Sequence, residues 1–267
     1  MTHNDSNPRA PSQTDSEHYR EKKRFFDTLL TVYGRNPVRE ALQNPAARLF
    51  RLHLAESNKP AKVLDEIIAI ARQQGAEIQY HDRKSLSRIS KNGKQDQGVA
   101  ADLQCQGYQT LEQFLRSPPA SFRLLALDRI TNPQNLGMII RSACAGGLDG
   151  ILLPRKGGAQ IDSLVIKASA GTVFRAPIVR CDNLPEALST LRELNATVCG
   201  LSSHSTTSLQ QLASNRRSVY VLGNESEGVS RAVADQCNAS VYIPMHNGVE
   251  SLNVAVTAAL IAFRGNL

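Results

Sequence analysis

Tryptophan is absent from this chain of 267 residues, and aromatic residues make up only 5% of it. That argues against a sheet surface that stacks nucleobases on several rings. Cysteine is scarce too. The five thiols, Cys105, Cys144, Cys181, Cys199 and Cys237, are odd in number and show no CxxC spacing. A disulfide framework and a structural zinc site are therefore not expected. Cys144 and Cys199 lie in apolar runs and read as small core residues. The histidines, His3, His18, His53, His81, His204 and His246, have no metal-ligand spacing. No run approaches the ~18 apolar residues of a membrane helix. The first 24 residues are polar and lack the apolar centre of a signal peptide. A cytoplasmic protein is the expectation.

Several nucleotide-binding and hydrolytic signatures are also missing. Gly223 and Gly228 have the glycine spacing of a phosphate loop, but Val229 stands where its lysine must be and two acids lie between. No GxGxxG follows a strand, which removes support for a dinucleotide site. No GxSxG elbow exists for a hydrolase triad.

The composition that remains is 41% hydrophobic, enough for one large core or two modest ones. Net charge is +7, which favours a polyanionic partner. The excess is spread along the chain: five basic and five acidic residues in 1–29, twelve against eight in 30–103, fourteen against eleven in 104–267. An extended polyanion touching two domains fits that spread better than a local basic tail.

Residues 1–30 read as a disordered or basic leader, with Arg20–Arg24 followed by Phe25-Phe26 as a short helix, a basic arm or a solvated linker. Residues 31–103 read as a small α/β domain. A helix opens at Asn36-Pro37 with Asn as cap, strands lie at 49–55, 78–80 and 98–103, and helices at 61–73 and 84–89. The polar loop 90–97 is an RNA-facing loop or an ordinary turn. Residues 104–121, with Pro118-Pro119, read as a linker. In 122–267, strands near 124–128, 150–153, 176–180, 197–200, 218–222 and 240–243 alternate with helices near 134–146, 161–169, 184–194, 229–235 and 251–264. Such alternation predicts an α/β fold with a parallel sheet covered on both faces.

Three strand-to-loop-to-helix junctions rich in Gly, Asn and Ser carry the chemistry. They are 132–141, 222–228 and 243–253, and together they suggest one composite site at the carboxyl ends of strands. They resemble the three motifs of the SpoU (TrmH) family of RNA ribose 2′-O-methyltransferases, of the SPOUT class. Asn135, Gly137 and Arg141 fit the first, N-x-G-x-x-x-R. Gly223, Glu225 and Gly228 fit the second, G-x-E-x-x-G. Ile243-Pro244-Met245 and Ser251-Leu252-Asn253 fit the third. Upstream, residues 32–42 and 97–101 resemble the small ribosomal-protein-like substrate-binding domain that precedes many SpoU catalytic domains. Two positions depart: Asn132 stands where Asp is common, and Asn247 where Gly is common. Asn tolerates the left-handed backbone that Gly supplies.

The resemblance implies a C-terminal deep trefoil knot and S-adenosylmethionine as cofactor, held by Leu222, Gly223, Ile243, Met245 and Leu252. It also implies a homodimer through the catalytic domain, with both subunits supplying active-site residues. No membrane partner and no metal are implied. Arg141, Asn135, Glu225, Ser251 and Asn253 are the implied catalytic residues. A guanidinium is a poor free base. Arg141 is therefore expected to stabilise the developing alkoxide and grip the adjacent phosphate, or else to act as the base. Asn135 orients Arg141 or the ribose, or caps its helix. Glu225 positions Arg141 or the ribose, or is an exposed acid. Ser251 sits in the pocket or caps the last helix. Glu227 and Glu250 read as solvated acids. The implied substrate is structured RNA, 23S ribosomal RNA first and transfer RNA second. The other reading is a non-catalytic RNA-binding ribosome-assembly factor.

Overall fold

The computed structural model describes residues 25–26, 28–203, 205–212 and 215–264. Most of the leader read over 1–30, with Arg20–Arg24, His3 and His18, lies outside the described residues, as does His204. Phe25 and Phe26 are helical and pack edge-on against Phe50, at centroid distances of 4.9 and 6.0 Å.

The N-terminal unit is a four-stranded mixed sheet with three helices. In chain order they are β1 (Leu29–Tyr33), α1 (Arg35–Leu42), β2 (Ala47–Ala55), α2 (Lys62–Gln73), β3 (Glu77–His81), α3 (Arg83–Ser90) and β4 (Val99–Cys105). The sheet order is β1-β4-β2-β3. β4 runs antiparallel to both β1 and β2, and β2 is parallel to β3. Here the structure corrects two readings. β1 is a strand, where none was expected. α1 begins at Arg35 behind Gly34, which takes φ 90° as its cap, so Asn36 is inside the helix and does not cap it.

Residues 104–121 are folded rather than linker-like. They hold β5 (Gln109–Thr110) and α4 (Leu111–Arg116). β5 pairs with a strand of the second sheet. Thr110 and Gln113 form a reciprocal capping box at the start of α4. Phe114 meets Phe122 at 5.4 Å and buries this segment on the C-terminal core.

The C-terminal unit follows the expected alternation: β6 (Phe122–Leu127), α5 (Pro133–Ala145), β7 (Gly150–Pro154), α6 (Ser163–Ala168), a 3-10 turn (Thr172–Phe174), β8 (Ile178–Cys181), α7 (Leu184–Glu193), β9 (Thr197–Leu201), β10 (Arg217–Leu222), α8 (Arg231–Ala234), β11 (Ala239–Val241) and α9 (Val254–Phe263). Every strand pair in this sheet is parallel, and the order is β11-β9-β10-β6-β7-β8-β5. Parallel strands covered on both faces read as continuous apolar runs. β10 has five buried residues of six, and so does β6. From β6 the chain builds outward through β7 and β8, then crosses to the other side for β9 and inserts β10 beside β6. The switch point is the β6–β10 boundary, and open α/β sheets bind ligands outside the carboxyl ends of strands at such a point.

Cys199 is fully buried as expected; Cys144 is only half-buried. Burial pushes the Cys105 and Cys181 thiols up to about 12 and Cys199 to about 11. These thiols are packing groups, not nucleophiles.

Candidate functional site

Asn132 ends the loop after β6 and caps α5. Its side-chain oxygen accepts from the amides of Gln134 (2.9 Å) and Asn135 (3.4 Å), with Pro133 at the first helical position. Capping thus belongs to Asn132, which leaves Asn135 free for another task. Gly137, one turn on, lies where α5 crosses α6. A Cβ there would stand 2.5 Å from the Ala168 Cβ and 2.8 Å from the Val165 carbonyl oxygen. That glycine is a packing requirement, and it lets α5 approach α6 closely.

The loop after β10 closes on itself. Gly228 donates its amide to the Asn224 carbonyl at 2.9 Å, and the Asn224 side chain accepts from the amides of Ser226 and Glu227. A Cβ on Gly223 would collide with the Gly228 carbonyl group. Gly228 itself sits at φ 68°. Two glycines of the second motif are therefore demanded by one lasso-like loop. The loop after β6 pins it. Asp128 accepts from the Ser230 amide at 2.6 Å, and Asn224 donates to the Arg129 carbonyl at 3.0 Å. Arg129 takes φ 57° and pairs with Glu227. Glu227 is exposed, as expected of a solvated acid, and it also pairs with Arg129. Glu250 is exposed as expected.

These supports place Glu225 against Asn135. The Asn135 amide donates to Glu225 Oε1 at 2.6 Å, and its oxygen accepts from Asn253 Nδ2 at 3.1 Å. Asn253 caps α9, accepting from the Ala255 amide at 2.8 Å. The cap of the last helix is therefore Asn253 and not Ser251. Asn135 is 7% exposed, and both ends of its amide are fixed by these two partners. One residue from each of the three motifs meets in a single hydrogen-bonded chain.

Beside this chain lies a cavity of about 680 Å³. All five residues expected to hold a cofactor line it: Leu222, Gly223, Ile243, Met245 and Leu252. Glu225, Ser251 and Asn253 line it too. Ser202 and Ser203, which follow β9, also face it; the sequence reading missed them, because no spacing ties them to the other motifs. Asn247 has φ 56° and Gly248 φ 74°, so the loop adopts the left-handed turn anticipated for an Asn in place of Gly.

Arg141 stands apart. It is exposed and has no hydrogen bond or ion pair among the described residues. It does not line the cavity. Six residues beyond Asn135, it lies about 9 Å further along the helix axis and on another face. Asn135 and Glu225 therefore hold each other rather than Arg141. Arg141 shares the outer face of α5 with Met138, which is 41% exposed. Nearby, α9 is apolar all round and packs its inner face on α5, with Gly146 against Ala262. Its outer residues Val256 and Leu260 remain 48% and 43% exposed.

Among the described residues no group of three His, Cys, Asp or Glu could hold a metal ion, and no helix is long and apolar enough to cross a membrane.

Residues 123–263 fit the model of the SpoU rRNA Methylase family, and residues 31–109 fit that of the RNA 2′-O ribose methyltransferase substrate-binding domain. An uncharacterized tRNA/rRNA methyltransferase of Mycolicibacterium vanbaalenii is 34% identical over 97% of this chain and 82% of its own length. The AdoMet-bound rRNA methyltransferase of Sinorhizobium meliloti is similar in fold, with a TM-score of 0.61 at 22% identity over 96% of both chains. The SpoU methyltransferase AviRb of Streptomyces viridochromogenes, solved with the cofactor AdoMet, has a TM-score of 0.59 at 24% identity over 90% of both chains.

Proposed function

Since the chain belongs to the SpoU family of RNA methyltransferases, we propose that it transfers a methyl group from S-adenosylmethionine to a ribose 2′-hydroxyl of structured RNA, with 23S ribosomal RNA as the first substrate class and transfer RNA as the alternative. The observation that carries the reading is the junction of the three motifs over one cavity: Asn135 bonded to both Glu225 and Asn253, beside a space lined by Leu222, Gly223, Ile243, Met245 and Leu252.

The cavity suits the cofactor. It combines apolar walls at Leu201, Leu222 and Val254 with the hydroxyls of Ser202, Ser203 and Ser251 and the carboxylates of Glu225 and Glu250. That donor set can hold a zwitterionic nucleoside that carries a positive sulfur. When bound, S-adenosylmethionine supplies an electrophilic methyl group.

The chain's own residues supply position and charge. Asn135 fixes the Glu225 carboxylate beside the cavity, and Glu225 then offers an oxygen to a ribose hydroxyl. A 2′-hydroxyl becomes negative as it attacks, and a fixed cation lowers the barrier most when it is already in place. Arg141 is that cation. A guanidinium with pKa above about 12 does not take the proton. It stabilises the alkoxide and grips the neighbouring phosphate, and the proton leaves through phosphate or water.

Arg141 does not reach its own chain's cavity, so we place it in the site of a second copy. The outer faces of α5 and α9, with Met138, Val256 and Leu260 exposed, support a homodimer through the catalytic domain. A helix apolar all round is normally buried on all sides. The C-terminal knot belongs to the same proposal. Its support is that the loops 223–228 and 242–253 close over one cavity beside the inserted strand β10. A cytoplasmic site of action follows from the RNA substrate.

The test is transfer of labelled methyl from S-adenosylmethionine to unmodified ribosomal RNA and transfer RNA, with Arg141→Ala as control. Label in the ribosomal pool, lost in the variant, is expected. Cofactor binding without label in either RNA would favour the assembly-factor reading.

A further inference from the structure

The N-terminal unit carries a second, separate cleft. It measures about 530 Å³ and is lined by Arg35, Ser57, Asn58, Lys59, Arg83 and Gln97. Three of these six residues are cations and none is an acid.

The cleft is built, not incidental. Arg35 is half-buried. Its Nε donates to the Gln97 carbonyl at 3.3 Å and its Nη2 to Asn58 Oδ1 at 3.4 Å. Both acceptors are neutral, so they fix the guanidinium without cancelling its charge. Asn58 in turn donates to the Gly98 carbonyl at 2.8 Å, and a Cβ on Gly98 would run into the Asn58 side chain. Gln97 is held at φ 52° and Gly98 at φ 78°. A non-glycine residue in that region is strained and persists only where its surroundings enforce it. Lys59 and Arg83 have no hydrogen bond or ion pair among the described residues. The neighbouring acids do not quench the cleft. Glu56 is not part of the lining, and the Asp82 carboxylate caps α3, bonded to the Ser85 amide and hydroxyl at 2.9 and 2.8 Å. The amino end of α1, eight residues long with no acidic residue in its first turn, adds positive potential at Arg35.

A cleft with three uncompensated cations suits a phosphate group. The absence of any ring in the lining argues against base stacking and so against sequence readout. We propose that Arg35, Lys59 and Arg83 bind a phosphodiester of the RNA backbone remote from the methylated nucleotide, so that this domain fixes the RNA by its backbone path and not by its bases. The assignment rests on the RNA-methylation reading above.

The experiment measures affinity for fluorescein-labelled RNA hairpins of two unrelated sequences across a salt series, for wild type, the double variant Lys59→Gln/Arg83→Gln and the control Arg72→Gln. Lys59 and Arg83 are exposed and unpartnered, so their loss leaves the fold intact; circular dichroism and S-adenosylmethionine titration check that. Each phosphate contact contributes about 0.9 to the slope of log K against log salt. The double variant is expected to lose about 1.8 from that slope and to bind both hairpins up to ~60-fold more weakly at ~0.1 M salt. An unchanged slope with intact RNA binding overturns the cleft alone, and so does a loss confined to one hairpin. A protein that binds S-adenosylmethionine but neither hairpin overturns both the cleft and the RNA reading. Ribose 5-phosphate, the free form of the same chemistry, is expected not to saturate the wild type at millimolar concentration. Saturation lost in the double variant would assign the cleft to a free phosphate ester instead of RNA.

Discussion

Replacing Asn135 by Ala removes the one side chain that ties the three motifs together. Two hydrogen bonds go. The bond to the Glu225 carboxylate at 2.6 Å is charge-assisted, worth about 1.5–3 kcal/mol, and the bond from Asn253 at 3.1 Å is neutral, worth about 0.5–1.5 kcal/mol. Glu225 and Asn253 are both exposed, so water takes over much of what they lose. The stability cost is then at the low end, about 2 kcal/mol. A cycle with Glu225→Ala isolates the pair. Urea unfolding should show a coupling of about 1–1.5 kcal/mol between the two substitutions. Methyl transfer should fall ~100-fold in kcat for either single variant and little further for the double, because both act through one carboxylate position. S-adenosylmethionine affinity of the Asn135→Ala variant should change less than ~5-fold, because Asn135 does not line the cavity. Strict additivity of the two stability losses, within ~0.3 kcal/mol, would refute the link between the first and second motifs.

Other expectations follow from the same geometry. Gly223→Ala should abolish S-adenosylmethionine binding by calorimetry while far-UV dichroism stays native, since its Cβ has no room inside the lasso loop. Gly137→Ala should cost about 1–3 kcal/mol of stability in urea by forcing α5 off α6. Leu260→Asp should shift the protein to monomer in sedimentation and remove activity while leaving each subunit folded. Mixing Arg141→Ala with Asn135→Ala subunits should restore about a quarter of wild-type activity, because half the dimers then hold one intact composite site; no recovery would mean that Arg141 serves its own chain. Lowering pH should loosen the N-terminal sheet. His81 donates to or accepts from His53 at 2.9 Å, and His53 reaches Asp102 at 3.0 Å. Burial, then the neighbouring His53, holds His81 below its usual value of 6.5. A depressed folded value means stability present above about pH 6.5 and lost as pH falls through the folded value. Burial raises Asp102, but hydrogen bonds from His53 and Thr31 outweigh it and hold it below its usual value of 3.8. Its contribution therefore persists to lower pH and fades last. The urea midpoint should drop between pH ~7.5 and ~5 in wild type and drop less in His81→Gln.

Much of this architecture could be read from residue patterns because its parts are local. The strand and helix alternation of the C-terminal unit came from apolar runs punctuated by Gly, Pro and Asn, and those runs are where β6 to β11 stand. β5 and α4 were invisible because a two-residue strand has no period, and Pro118-Pro119 made its surroundings resemble a linker. β1 was missed because Leu29–Tyr33 joins directly to the Phe25-Phe26 segment and no turn signal precedes it. The cavity-lining residues were legible as family motifs, and the structure adds the reason for two motif glycines: Gly223 for loop closure at the cavity, Gly137 for helix contact away from it. The pairing of Asn135 with Glu225 was not legible. Those residues are 90 apart in the chain, and only the insertion of β10 beside β6 brings their loops together. Arg129 with Glu227 escaped for the same reason. Arg141 was correctly placed on a helix; its six-residue spacing from Asn135 already puts the two on different faces, and the fold shows that Arg141 does not line the cavity.

The most direct measurement is the chemical position of the transferred methyl. Wild-type protein, labelled S-adenosylmethionine and unmodified ribosomal RNA are incubated, and the product is hydrolysed in alkali. A ribose 2′-O-methyl blocks cleavage at its own phosphodiester, so the account predicts label in an alkali-resistant dinucleotide that yields one 2′-O-methyl nucleoside on further digestion. Label recovered in free nucleotides methylated on the base would contradict it.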